Sequence, residues 1–324
     1  MPVPVKKAVG LLSGGLDSTL AAQILIEQGV EVYAINFVTP FCTCTPGSSG
    51  CSAVAKAVEQ LGNIPLKRVA LGDEYLEMIR SPRHGYGRGM NPCIDCRILK
   101  IKKAADYMRE IGASFLFTGE VLGQRPMSQH RRAIAVIDAD SGMKGYVLRP
   151  LSAALFEPTI PEMEGIVDRS RLLALEGRTR KPQIALAQEK NITDYPCPAG
   201  GCRLTDVQFG KRLSDYFDRI TPLSIKDAPF LRFGRYSTIG NGAMTFVSRN
   251  EEEGKKMLAT APTWVNLFIP RTFSGPVIAS QSPWGGEIAV FMRRYGKLSA
   301  SSENLVECRE GGLITERRLD EVEE

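Results

Sequence analysis

An apolar run, Ala8-Val9-Gly10-Leu11-Leu12, gives way to Ser13-Gly14-Gly15-Leu16-Asp17-Ser18. Thr19 to Gln28 then continues with apolar residues at Leu20, Ile24 and Leu25. A buried strand, a glycine turn and an amphipathic helix in that order begin a strand–helix–strand unit, which commits the chain to parallel pairing. Gly29 supplies a helix stop, and Val30 to Phe37 reads as the second strand. Further on, Ser52 to Leu61 predicts a helix, Leu66 to Leu71 a strand and Ser114 to Thr118 another strand, ending in Gly119-Glu120. Between them, Arg97 to Ile111 predicts a helix with Ile98, Ile101, Ala104, Ala105 and Met108 on one face. Strands alternating with helices give the expected fold class, α/β with a doubly wound parallel sheet. Ligands of such sheets bind at the carboxyl ends of the strands, so the 13–18 turn, the 38–51 loop and the 119–132 loop share one rim.

The turn itself is an anion cradle. Gly14 and Gly15 let backbone N–H groups approach an oxyanion, Ser13 and Ser18 add hydroxyls, and the following helix N-terminus adds positive potential. No lysine stands where a γ-phosphoryl-transferring P-loop needs one. Asp17 in such a cradle is repulsive to phosphate unless it meets it through Mg²⁺; its bland role is a helix N-cap.

The pattern changes after Cys202. Asp206 to Arg219 predicts a helix, and from Phe230 onward the chain is rich in Phe, Val, Thr, Ile and Gly. At 324 residues the chain is long enough for about two domains. We expect a first domain over 1–205 and a smaller α+β domain over 206–324, with the boundary near 205–228. The net charge of +5 is unevenly spread. Residues 1–205 carry 25 basic against 20 acidic side chains, and 206–302 carry 13 against 8, whereas 303–324 carry 3 against 8. Positive excess on both bodies suits a polyanion such as RNA; a solvated face of mixed sign is the bland reading. No apolar run approaches a membrane span, and Met1 to Lys7 leads straight into a strand-like run, so a cytoplasmic protein without a membrane partner is expected.

Two histidines, His84 and His130, leave little room for His-rich zinc sites, whereas eight cysteines in a reducing compartment point to metal, cluster or reactive thiols. Asn91-Pro92-Cys93-Ile94-Asp95-Cys96-Arg97 sets a CxxC just before a basic helix, where a thiolate is favoured. A second pair lies in Tyr195-Pro196-Cys197-Pro198-Ala199-Gly200-Gly201-Cys202. The two pairs fit an iron–sulfur cluster, a zinc site, or thiols that carry a persulfide; buried small hydrophobes are the alternative. Cys42, Cys44 and Cys51 lie on the same rim as a CxC with a third cysteine seven residues on, a moderately specific pattern open to zinc binding, sulfur relay or no role, and Cys308 reads as inert. Arg125, Arg131 and Arg132 form one basic cluster and Arg178, Arg180 and Lys181 another, and both are candidate RNA contacts. His130 falls in the first of these surfaces, and His84 lies in a Pro/Gly loop able to meet a ligand.

Ser13-Gly14-Gly15-Leu16-Asp17-Ser18 resembles the PP-loop of the ATP pyrophosphatase superfamily, whose members adenylate a substrate oxygen and release pyrophosphate. Thr118-Gly119-Glu120-Val121-Leu122-Gly123-Gln124 and Met127-Ser128-Gln129 are similar to a loop of tRNA 4-thiouridine synthases, which usually have Asp where this chain has Glu120. Leu148-Arg149-Pro150-Leu151 matches the same family's Arg-Pro-Leu segment, and Cys96 falls where tRNA 2-thiouridylases keep a catalytic cysteine. The likeness spans roughly residues 7–205. Gly85-Tyr86-Gly87, the CxxC segment and Pro198-Ala199-Gly200-Gly201-Cys202 look like a group of short tRNA thiouridylases with a C-terminal NFACT-type RNA-binding domain. Phe233-Gly234-Arg235 and Val247-Ser248-Arg249-Asn250-Glu251-Glu252-Glu253 resemble that domain. No THUMP or rhodanese domain, both common in 4-thiouridine synthases, is recognisable.

The resemblance implies an adenine nucleotide alpha hydrolase-like fold and ATP-dependent tRNA thiolation. It implies a nucleotide site of Ser13, Gly14, Gly15, Asp17, Ser18, Asn36, Gly119 and Gln124 with ATP and Mg²⁺. Catalytic roles fall to Asp17, Cys96 and Cys202. A 4Fe–4S cluster would rest on Cys93, Cys96 and Cys202, with Cys197 the rival third ligand. Without a cluster, Cys96 and Cys202 serve as persulfide carrier and resolving thiol. Implied partners are tRNA and a sulfur donor, either a cysteine desulfurase or inorganic sulfide, and a homodimer is possible. The alternatives are sulfur or amino transfer to a small molecule, and a cysteine-based iron or redox sensor that binds RNA.

Overall fold

The structure, a computed structural model, describes residues 6–42, 49–196, 201–240, 242–300 and 303–322, with the backbone alone for 49–52. Cys44 and Cys197 lie outside the described residues, as does the side chain of Cys51. The chain divides into two compact units, Met1–Thr205 and Asp206–Glu324.

The first unit runs β1 (Lys7–Leu11), α1 (Leu16–Ile26), β2 (Glu31–Val38), α2 (Ser49–Gln60), β3 (Leu66–Ala70), α3 (Asp73–Arg80), α4 (Cys93–Glu110), β4 (Phe115–Thr118), α5 (Arg131–Asp140), β5 (Val147–Leu148), α6 (Ile160–Met163) and α7 (Lys181–Glu189). Its strands form a parallel sheet in the order β3-β2-β1-β4-β5. The α/β expectation holds, and the reason is visible in side-chain burial. Ala8 and Val9, adjacent on β1, are both fully buried, one in each of the two cores that flank the sheet. Helices α1 and α7 cover one face, α4 the other. Strand order reverses between β1 and β4, and the crevice beyond their carboxyl ends is where such a sheet binds a ligand. One boundary differs from expectation. Helix α4 begins at Cys93, so the CxxC forms its first turn instead of preceding it.

The second unit is α8 (Val207–Arg219), β6 (Arg235–Ile239), β7 (Ala243–Val247), α9 (Glu251–Thr260), β8 (Asn266–Pro270), β9 (Ile278–Ser280), α10 (Gly286–Tyr295), β10 (Leu305–Glu310) and β11 (Leu313–Arg318). Its antiparallel sheet has the order β11-β10-β8-β9-β7-β6, in keeping with the expected α+β class. Asp206 caps α8 by accepting from the backbone of Gln208 and Phe209. Buried Arg212 donates to the carbonyls of Leu231, Phe233 and Gly234, satisfying a turn that no other strand pairs. Cys308 lies in the apolar core with Val306, Phe268 and Met292, and burial pushes its thiol up to about 12.

Candidate functional site

Strand β1 is followed by Leu12, whose N–H donates to Ile35 O at 2.9 Å and whose carbonyl accepts from Asn36 Nδ2 at 2.8 Å. Asn36, expected at the nucleotide, therefore spends its amide on fixing the strand end. Gly14 sits at φ +75°, and a Cβ there would lie 2.6 Å from the backbone of Ala53 and Val54. Only glycine meets both conditions. Gly15 caps α1, and the Ser18 hydroxyl bonds the Gly15 carbonyl at 2.9 Å, with Ser13 Oγ 3.2 Å away. Asp17 is thus in the first helical turn and is not the cap. Gln124 Nε2 donates to Asp17 Oδ2 at 3.2 Å, while buried Oδ1 has no hydrogen-bond partner among the described residues. Burial raises the Asp17 carboxyl, against the pull of Arg180, the Gln124 bond and Arg125.

Strand β4 closes the other side of the crevice. A Cβ on Gly119 would lie 2.4 Å from Ser18 N and 2.5 Å from the Asp17 carbonyl carbon. Gly119→Ala must therefore part β4 from the first turn of α1. A shift of about 1 Å at a reacting centre costs on the order of a hundredfold in rate, and single-turnover kinetics on the purified variant should show it; an unaltered rate would mean that this contact does not set the site.

Glu120 follows, fully buried. Arg149 Nε reaches its Oε2 at 3.0 Å and Arg97 Nε its Oε1 at 3.4 Å. Arg149 in turn pairs with Asp138 at 2.7 Å. Burial alone would raise the Glu120 carboxyl, but Arg97 and then Arg149 outweigh it and hold it below the usual range. The longer Glu in place of the resembled family's Asp is what spans two arginines from different elements.

The cysteine segments are brought together by backbone bonds. Met90 N donates to Leu204 O at 2.9 Å, Arg203 N donates to Phe41 O at 2.9 Å, and Cys42 and Cys202 form an isolated antiparallel bridge. Residues 41–42, 89–96 and 202–204 therefore meet at one place. Tyr75 lies there too, its hydroxyl 3.3 Å from Cys96 Sγ. Burial pushes the Cys202 thiol up to about 12, and Cys96 and Cys42 add to the effect. Burial, then Cys96, raises Cys93, opposed by Arg97, Asn91 and Arg125. Cys42, left aside on sequence, belongs to this group; neither it nor Tyr75 carries a motif that would have revealed the contact. Among the described residues, no group of three or more His, Cys, Asp or Glu side chains is placed to hold a metal ion. The set Cys93, Cys96 and Cys202 thus does not form a three-ligand site as it stands.

Residues 4–157, which contain the glycine turn, the CxxC and Arg149-Pro150, match the family model described as thiamine biosynthesis protein (ThiI). The N-terminal unit is thus similar to the PP-loop ATP pyrophosphatases of the ThiI and MnmA type. Three curated relatives carry the description tRNA-specific 2-thiouridylase MnmA. That of Dichelobacter nodosus is 29% identical over 64% of this chain and 54% of its own length. That of Haemophilus influenzae is 25% identical over 86% and 76%. That of Coxiella burnetii is 36% identical over 35% and 33%. The chain thus spans only about half of the first relative. A crystal structure of a 4-thiouridine synthetase–RNA complex with bound ATP is 22% identical, covering 69% of this chain and 52% of that one, with a TM-score of 0.38.

The PP-loop turn fits a magnesium pyrophosphate. Gly14 lets the turn pack against the Ala53–Val54 backbone, a Cβ at Gly15 would meet only Ser13 Oγ at 3.5 Å, and Asp17 has a buried oxygen without a hydrogen-bond partner among the described residues, a hard oxygen ligand that could hold Mg²⁺. Of the basic residues singled out in the sequence, Arg125 and Arg180 flank Asp17, whereas Arg132, Arg178 and Lys181 are exposed. Arg131 donates to Leu155 O at 2.8 Å and stacks on Phe156. His130 caps α5, its Nδ1 accepting from Ala133 N. His84 lies between Asp95 and Asp140, 3.1 Å from each. Neither histidine faces the turn as its principal contact.

Proposed function

We propose that the chain thiolates a tRNA uridine with ATP. The observation that carries this reading is the adjacent pair Gly119 and Glu120: a Cβ on Gly119 would lie 2.5 Å from the Asp17 carbonyl carbon in the PP-loop, and Glu120 Oε1 lies 3.4 Å from Arg97 Nε, the residue after Cys96 of the CxxC. Two neighbouring residues that touch both elements support one substrate meeting both. The uridine carbonyl oxygen attacks the α-phosphorus of ATP; a new O–P bond forms, the α–β bridge breaks and pyrophosphate leaves. Ser13, Gly14, Gly15, Asp17 and Ser18 hold that leaving group, whose negative charge grows in the transition state. Bound Mg²⁺ would neutralise part of that charge. Gly119 fixes the spacing between β4 and the loop, Gln124 orients Asp17, and Asn36 holds the strand end.

For the second half, we assign sulfur delivery to Cys96 and Cys202. The terminal sulfur of a Cys96 persulfide, loaded by a cysteine desulfurase or from sulfide and an oxidant, adds to the activated carbon, and AMP leaves with its oxygen. The Cys202 thiolate then attacks the Cys96 sulfur. The thiocarbonyl is released, its electron pair coming from the broken S–S bond, and a Cys96–Cys202 disulfide remains for an external thiol to reduce. Burial of Cys202 keeps it protonated until substrate arrives, which protects the persulfide from premature attack. RNA contact falls to the exposed basic residues of the first unit and to the second unit, whose residues 206–302 are net positive.

The test is tRNA-stimulated release of AMP and pyrophosphate by the purified protein, together with mass spectrometry of tRNA nucleosides from cells lacking the gene. Pyrophosphate release that ignores tRNA but responds to a small acceptor would replace this reading with small-molecule transfer. No ATP turnover at all would leave an RNA-binding sensor. For sulfur delivery, anaerobic purification decides. Active colourless protein is expected; brown protein with about four irons per chain would put a 4Fe–4S cluster on Cys93, Cys96 and Cys202 instead.

A further inference from the structure

We propose that Arg180 and Gln183, at the start of α7, form a second wall of the pyrophosphate cradle opposite the PP-loop. The proposal rests on the ATP reading above and adds to it residues that the glycine motif does not contain. Helices α1 and α7 lie side by side and run in the same direction. At their C-terminal ends Lys190 Nζ meets Glu27 Oε2 at 2.6 Å. At their N-terminal ends Arg180 acts on Asp17. Between these, Ala187 is fully buried in the core that α1 lines with Leu20 and Ile24. Gln183 precedes Ala187 by one helical turn and so shares its face, alongside the first turns of α1. The two helix N-termini therefore point to the same end of the unit, and each brings partial positive charge there.

Independent of the helix ends, several buried polar atoms here have no hydrogen-bond partner among the described residues. Gln183 is 1% exposed, and neither its Oε1 nor its Nε2 has a hydrogen-bond partner among the described residues. Arg180 Nε and Asp17 Oδ1 are buried in the same condition. A folded chain rarely leaves that many buried donors and acceptors unmet in one spot unless a ligand completes them. The segment is also positioned from outside the helix. Gly177 N donates to Leu122 O at 2.7 Å, and Leu122 bridges Glu176, so the approach to α7 is fastened to the loop that carries Gln124. A multiply charged anion with several acceptor oxygens matches a guanidinium, an amide N–H₂ and the positive end of α1.

Calorimetry with magnesium pyrophosphate, magnesium ATP and AMP on the full chain tests this. Arg180→Ala is expected to weaken pyrophosphate about ten- to a hundredfold, the range for losing a charge-assisted hydrogen bond, and to leave AMP within about twofold. Gln183→Glu, nearly isosteric, should weaken pyrophosphate about tenfold by placing like charge beside it. Should Arg180→Ala not fold, Arg180→Lys replaces it, since it keeps the charge and loses the planar fork. Wild-type affinity for pyrophosphate in these variants would overturn the proposal while leaving the PP-loop reading intact. If they weakened tRNA binding and not pyrophosphate, Arg180 would serve RNA and the proposal would again be overturned. A wild-type protein that bound neither pyrophosphate nor ATP would instead remove the reading on which the proposal rests.

Discussion

Asp17→Ala is expected to lower tRNA-stimulated pyrophosphate release about a thousandfold, the equivalent of roughly 4 kcal/mol of transition-state stabilisation. The carboxylate stands in the first turn of α1 with one oxygen bonded to Gln124 and the other, buried, without a partner among the described residues. Its charge is unfavourable where it is unless a cation joins it, so removal should not harm the fold. Thermal unfolding of the variant should match or exceed that of the wild type. The pH profile follows from the direction of the shift. Burial raises this carboxyl, so the charged form disappears on acidification at a higher pH than an exposed aspartate would lose it. Activity should therefore begin to fall above the ordinary carboxylate range. Asp17→Ala retaining even a tenth of the rate would show that the residue is structural.

Glu120→Ala should have the largest effect on stability, about 3–5 kcal/mol, because it strips one partner from a buried charge pair. Arg149 is 5% exposed and would keep Asp138 and the Val147 carbonyl but lose its second carboxylate, and Arg97 would lose its 3.4 Å contact. For a unit of this size the loss corresponds to a fall in melting temperature of about 6–20 °C. Glu120→Asp, one methylene shorter, should lose the reach to one arginine and cost less. The sign with pH is fixed by the lowered carboxyl. The stabilisation is complete above the ordinary Glu value of 4.5 and is lost as pH falls through the lower folded-state value. Scanning calorimetry of wild type and variant should thus converge at strongly acidic pH, and a constant gap between them would refute the ion-pair account.

These two residues differ in how far the chain discloses them. Asp17 announces itself, because a glycine turn after a buried strand has few other uses and neighbouring residues carry the whole signal. Glu120 does not. Its place after Thr118-Gly119 is legible, but its partners, Arg97 in α4 and Arg149 just after β5, lie far apart in sequence. Asn36 shows a contact that local pattern does not carry. It is a polar residue near the rim whose Nδ2 donates to the carbonyl of Leu12, 24 positions away. The CxxC was legible as a motif, yet its first cysteine proved to begin α4. Helix ends depend on caps and on what packs beside them.

The alternation of strands and helices up to β4, the glycine turn and the change of fold after Cys202 follow from local pattern, since apolar periodicity and glycine act over a few residues. What lay beyond such pattern was which distant segments meet. Residues 41–42, 89–96 and 202–204 converge through backbone hydrogen bonds, and α7 comes to lie along α1 through a shared apolar face. Contacts of that kind have no periodicity to read. They exist only once the sheet is assembled and burial has chosen which side chains face one another.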